Sequence, residues 1–212
     1  MSDGAAGAAA PVARTAADNS VFVLVLQHPQ ERREPRATAA AAVAALQRAR
    51  LAAGLSWPNL ARALGRQADA RRWGVLYLGS IRPDTLAPDR EIIVLGREGE
   101  PLADPRPVLR SLEGIVLLDG TWSQAKTLWW RNPWLLKLHR LVLNPRNPAL
   151  LNQVRREPRR EALSTIEAAA LVLRNLEAKP DAPQALLAAL GQVIAAATRK
   201  PVQLDVPLDV KA

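Results

Sequence analysis

Gly114-Ile115-Val116-Leu117-Leu118-Asp119-Gly120-Thr121-Trp122-Ser123-Gln124-Ala125 is the stretch on which the fold turns. Its first half is a continuous apolar run of strand length with two β-branched residues, the pattern of a strand buried on both faces. An acid, a glycine, a hydroxyl and an indole follow at a strand-to-helix turn, and a helix over 121–132 is stopped by Pro133. Buried-type strands recur at 21–26, 74–78, 91–95 and 140–143. The gaps read as helices. One is the alanine-rich stretch 38–53 ending at Gly54, another is 164–178, with Ser164 and Glu167 spaced as a capping box, and the last is 184–199. Short apolar strands alternating with helices predict an α/β fold, a mostly parallel sheet covered by helices on both faces. A single domain over 21–199 is expected between a flexible alanine-rich tail (1–20) and a C-terminal tail (200–212).

Composition narrows the function classes. The chain has 212 residues and no cysteine, which excludes a disulfide framework and a thiolate metal site. Its two histidines, His28 and His139, lie far apart in sequence, so no bound metal is expected. No apolar run reaches the roughly 18–20 residues that span a bilayer, and the first twenty residues lack the pattern of a signal peptide. A cytoplasmic protein without a membrane partner is expected. The formal charge is +9. Arg131, Lys137, Arg140, Arg146, Arg155, Arg156, Arg159 and Arg160 face only Glu157 within that stretch, which therefore holds +7 of the total. So concentrated a block is the footprint of a polyanion such as nucleic acid.

In open α/β sheets ligands sit beyond the carboxyl ends of the strands. That rule directs attention to Gln27 and His28, Gly79 and Ser80, Gly96, and Asp119 through Trp122. Each of these residues also has a structural role open to it. Asp119 or Thr121 would cap a helix, Gly120 would permit a turn, and Trp122 would fill a core. Ser164 and Glu167 would serve their own helix start, and a free helix N-terminus also binds anions. Of Trp129, Trp130 and Trp134, helical spacing places at least one in the core.

Asp119-Gly120-Thr121-Trp122 resembles the Asp-x-Thr-Trp signature of the DTW-domain family. Gln27-His28-Pro29, followed by Glu31, is similar to that family's Gln-His-Pro-x-Glu segment after the first strand. Leu76-Tyr77-Leu78-Gly79 is similar to its Leu-Tyr-Pro-Gly-like loop, with Leu78 where proline is usual. Leu163-Ser164-Thr165-Ile166-Glu167-Ala168 resembles its Ser-Thr-x-Glu-Ala segment, with Arg155 and Arg156 upstream. The order of the four segments makes the likeness specific, and it runs from about residue 21 to 177. One departure is clear: many bacterial relatives begin with a cysteine-rich, zinc-binding segment, and here the N-terminal stretch is alanine-rich.

The resemblance implies transfer of the 3-amino-3-carboxypropyl group of S-adenosylmethionine to N3 of a uridine in tRNA, with 5′-methylthioadenosine released. It also implies a fold similar to the SPOUT methyltransferases, with a deep trefoil knot toward the C-terminus. On this view Asp119 is the catalytic base or orienting acceptor. Tyr77, Leu78, Gly79, Gly96, Leu118, Thr121, Trp122, Ser164, Thr165 and Glu167 hold the S-adenosylmethionine. His28, Arg131, Arg146, Arg155, Arg156, Arg159 and Arg160 hold the tRNA. The alternatives are the same transfer to ribosomal RNA, an S-adenosylmethionine-dependent RNA methyltransferase, and a non-catalytic RNA-binding protein.

Overall fold

The computed structural model describes residues 16–33, 38–77, 90–144 and 163–198. Its centre is a six-stranded sheet in the order β2-β1-β5-β3-β6-β4. The strands are β1 (Phe22–Gln27), β2 (Ala49–Ala53), β3 (Trp73–Leu76), β4 (Ile92–Leu95), β5 (Gly114–Asp119) and β6 (His139–Leu143). Every pairing is parallel except that of β4 with β6. The helices are α1 (Ala39–Ala44), α2 (Leu60–Leu64), α3 (Arg106–Ser111), α4 (Trp122–Arg131), α5 (Thr165–Leu176) and α6 (Asp181–Thr198).

Alternation along the central strands explains why both faces are apolar. Val23 and Val25 of β1, with Ile115 and Leu117 of β5, pack beneath α1, α5 and α6 through Ala42, Ile166, Leu173, Leu186 and Ile194. Leu24, Leu26 and Val116 point the other way, onto Leu60 and Leu64 of α2, Trp73, and Trp134 and Leu135 of the 3-10 turn Pro133–Lys137. The expected α/β architecture with helices on both faces is what forms.

One sequence expectation is corrected, and the direction of one expected strand is found. The alanine-rich stretch 38–53 is not one helix. It is six residues of α1, a bend, and then the edge strand β2, whose approach gives the Val23 N–H its acceptor in the Arg48 carbonyl at 2.9 Å. Without β2 one side of β1 would lack backbone partners, and pairing those groups outweighs alanine's weak helical preference. The strand at 91–95 forms, but as an antiparallel partner of β6, with Ile92 opposite Leu143 and Leu95 opposite Arg140.

The expected tail contains an ordered end. Ala17 bridges to Leu46, its N–H donating to the Ala45 carbonyl at 2.9 Å, and the Asn19 side chain is buried and bonded to both Val21 and Arg48. Among the described residues no helix is long and apolar enough to cross a membrane.

Candidate active site

Parallel register brings Gln27, the last residue of β1, directly beside Asp119, the last residue of β5. Both side chains are buried, and Gln27 Nε2 donates to Asp119 Oδ2 at 2.9 Å. The other carboxylate oxygen, Oδ1, accepts from the Thr165 hydroxyl at the start of α5. The Asp119 backbone joins in: its carbonyl accepts from the His28 N–H at 3.0 Å. Asp119 thus ties together chain segments 92 and 46 residues away in sequence. Neither α5's return to this edge nor the Gln27 contact is visible in local sequence.

The turn after Asp119 is tightly built. A Cβ at Gly120 would lie 2.8 Å from Cβ of Gln124 and 3.4 Å from that of His28, so the close approach of α4 to the β1 loop requires glycine. Thr121 closes a reciprocal capping box on α4: its N–H donates to Gln124 Oε1 at 2.6 Å, and its Oγ1 accepts from the Gln124 N–H at 3.4 Å. The Gln124 amide also donates to Gln30 Oε1 at 3.1 Å, fastening the loop that carries His28. Ser164 and Glu167 form a second reciprocal box on α5. The next N–H along, of Ile166, donates to Thr38 Oγ1 at 3.4 Å. Ser164 and Glu167 are bonded to each other, and Thr165 faces Asp119.

Aromatic rings wall the same edge. Tyr77, just past β3, lies nearly parallel to Trp129 at 4.3 Å between ring centroids and to Trp122 at 6.3 Å. Trp122 and Trp129 stand two helical turns apart on α4, which is why one tyrosine meets both. Loss of hydration pushes the Tyr77 phenol above its ordinary range, against an opposing pull from Arg140. Trp134 is buried, its indole N–H donating to the Trp57 carbonyl at 2.9 Å, and Trp130 is 70% exposed. Of the three tryptophans, one is core, one lines the site and one faces solvent.

The expected site residues distribute as follows. Asp119, Thr121, Trp122, Thr165, Tyr77 and His28 meet at the carboxyl edge, with Leu118 half-buried beside them and Ser164 and Glu167 on either side of Thr165 at the start of α5. Gly96 does not join them. Because β4 runs antiparallel, its end lies at the opposite edge of the sheet, where Gly96 opens a hairpin with its N–H bonded to the Glu100 carbonyl at 2.8 Å. Arg131 is exposed at the far end of α4. Leu78, Gly79, Arg146, Arg155, Arg156, Arg159 and Arg160 lie outside the described residues. Gln27 lay in the loop the strand-end rule pointed to, but strand register alone pairs it with Asp119, and tertiary approach alone brings Thr38 and Trp129 to the same edge. Among the described residues no cluster of three or more His, Asp or Glu has the arrangement to hold a metal ion.

The model of the DTW domain matches residues 10–197 of the chain. The chain belongs to the DTW-domain family. A Mus musculus protein named tRNA-uridine aminocarboxypropyltransferase 2 is 40% identical to it over 63 residues, 30% of this chain and 21% of its own. The Drosophila melanogaster protein of the same name is 30% identical over 167 residues, 78% of this chain and 60% of its own. The chain thus spans three fifths or less of the length of these curated relatives. No solved structure matches it. All four segments that carry the resemblance fall within the matched range, and three of them converge on Asp119.

Proposed function

We propose that this DTW protein transfers the 3-amino-3-carboxypropyl group of S-adenosylmethionine to N3 of an unpaired uridine in tRNA. The observation that carries the proposal is the junction of Gln27, Asp119 and Thr165 beside the Tyr77, Trp122 and Trp129 rings, within a domain whose relatives bear that activity in their names. In the balanced step the N3–Cγ bond forms and the S–Cγ bond breaks. The bonding pair returns to sulfur in 5′-methylthioadenosine, and the N3 proton is lost. S-adenosylmethionine supplies the electrophilic carbon next to its sulfonium, and the choice of carbon is a matter of positioning.

The residues at the edge fit such a donor. Parallel aromatic rings offer a face to an adenine or to a sulfonium cation. Asp119 engages each carboxylate oxygen once, and a carboxylate has about four acceptor positions. Lone pairs therefore remain to orient an N–H or receive its proton. Gln27 and Thr165 hold the carboxylate in place so that no reorganisation is needed at the moment of transfer. In the same proposal Leu78 and Gly79 also hold the donor. His28, Arg131 and the arginines at 146, 155, 156, 159 and 160 hold the RNA, and the reaction belongs to the cytoplasm. The SPOUT-like fold with a deep knot toward the C-terminus is part of the proposal too.

The deciding experiment incubates protein and unmodified tRNA with S-adenosylmethionine labelled either in its methyl group or in its aminobutyrate carbons. Label entering tRNA from the aminobutyrate carbons alone is expected. Methyl label in the RNA would overturn the transfer in favour of methylation. Aminobutyrate label entering ribosomal RNA and not tRNA would overturn the substrate.

A further inference from the structure

The two faces of the sheet differ in charge. On the face covered by α1, α3, α5 and α6, acids and bases mix: Glu167 and Asp181 with Arg106, Arg110 and Arg174. The opposite face is covered by residues 54–68 and 120–138, which hold no Asp or Glu and five exposed cations: Arg62, Arg66, Lys126, Arg131 and Lys137. Of the acids that adjoin that cover in sequence, Asp69 is ion-paired with Arg71, and Asp119 is buried at the candidate site. On this cationic face Trp130 is 70% and Trp122 47% exposed.

Trp122, Lys126 and Trp130 recur at four-residue spacing along α4, so they form one stripe on its outer surface. The stripe begins next to Asp119 and extends about 12 Å at 1.5 Å per residue. We infer that this stripe is the track for the unpaired RNA strand flanking the reacting uridine, with a base stacked on Trp130 and the backbone held by Lys126 and Arg131. The inference rests on the proposed reaction for the identity of the RNA. The surface itself argues for nucleic acid over an apolar partner, because a cation interrupts the two indoles and none of the five cations has an acid within the cover. Exposed aromatics set among cations that have no acid partner among the described residues are the form single-strand binding takes. Unpairing is needed in any case, since uracil N3 lies on the pairing edge. Distance along α4 sets Trp130 beyond the reacting base, so its work is in holding the strand.

The test measures binding of a short uridine-containing single-stranded RNA and of unmodified tRNA, without S-adenosylmethionine, over a range of salt. Trp130→Ala is expected to weaken oligonucleotide binding roughly five- to tenfold, with Trp130→Phe restoring most of it. Lys126→Ala with Arg131→Ala should lower the slope of log K against log salt by about 1.4 for the single strand. All of these side chains are exposed, and matching thermal melts exclude misfolding as the cause. Binding by Trp130→Ala within twofold of the parent overturns the track. Label transfer by the parent protein separates the two conclusions. Transfer with binding indifferent to Trp130 removes the track and leaves the proposed reaction. Binding that depends on Trp130 without transfer to any RNA leaves the track and removes the reaction.

Discussion

Asp119 sits where three constraints meet, and the residues around it are separable by what each gives the carboxylate. The Thr165 hydroxyl is a donor to Oδ1, and valine has nearly its shape without the proton. Thr165→Val is expected to cost about 1.5–3 kcal/mol of stability in urea unfolding, the range for a lost hydrogen bond to a charged group. It should also slow aminocarboxypropyl transfer at unchanged tRNA affinity, with Thr165→Ser recovering both; full activity in the valine variant would remove Thr165 from the site. Tyr77 is the only tyrosine in the chain, so its ionisation is read directly by absorbance near 295 nm. Burial favours the neutral phenol, and its midpoint is expected above 10. The sign follows from linkage. Below about pH 10 folded and unfolded states hold the proton equally. Above it the unfolded chain releases the proton first, so stability falls as pH rises toward the folded midpoint. A midpoint at or under 10 would contradict the packed position of the ring.

At the scale of elements, the two capping boxes fix how the site is aimed. α4 and α5 both begin at the carboxyl edge, and each start is closed by a hydroxyl and a glutamine or glutamate three residues on. Thr121→Ala and Ser164→Ala should each cost about 1 kcal/mol in denaturant unfolding. If Ser164 acts as a cap alone, its variant keeps the parent's affinity for S-adenosylmethionine by calorimetry; a loss beyond fivefold would place Ser164 in the donor pocket. The helix starts were legible from Ser-x-x-Glu and from Thr121 preceding an apolar run. The end of α1 was not, because nothing in the run of alanines distinguishes helix from the edge strand that β1 requires. The direction of β4 was equally hidden: an isolated four-residue apolar strand carries no sign of its polarity, and with that polarity went the placement of Gly96.

At the scale of the whole molecule, the entry of β1 is fastened to the end of α5. Glu177, at the C-terminal end of α5, accepts from the Ser20 N–H at 2.7 Å, the Ser20 hydroxyl at 2.7 Å and the Val21 N–H at 2.8 Å, 156 and 157 residues away. It pins the entry of β1, and with it the register that seats Gln27 beside Asp119. Glu177→Ala is expected to destabilise the protein by about 1–2 kcal/mol, moderated by the partial exposure of the contact. Hydrogen exchange should show the loss spreading along β1, and protection confined to the parent level there would mean the clamp is dispensable. The buried-strand centre needs no such clamp to be recognised, since its apolar runs are continuous.

Sequence by itself determined the α/β class, the buried strands β1, β3, β5 and β6, the long helices α4, α5 and α6, and the family to which the chain belongs. Those follow from local properties: apolar runs, helical spacing, caps, and four short segments in fixed order. Tertiary structure alone decided that Thr165 is the residue of its segment that meets Asp119. It likewise decided that Gln27 shares the carboxylate, that Gly96 lies at the wrong edge, and that Trp129, Trp130 and Trp134 go separately to site, solvent and core. The reason is common to all of them. Residue type fixes what a side chain is able to bond, whereas strand register and the approach of distant helices fix which partner it finds.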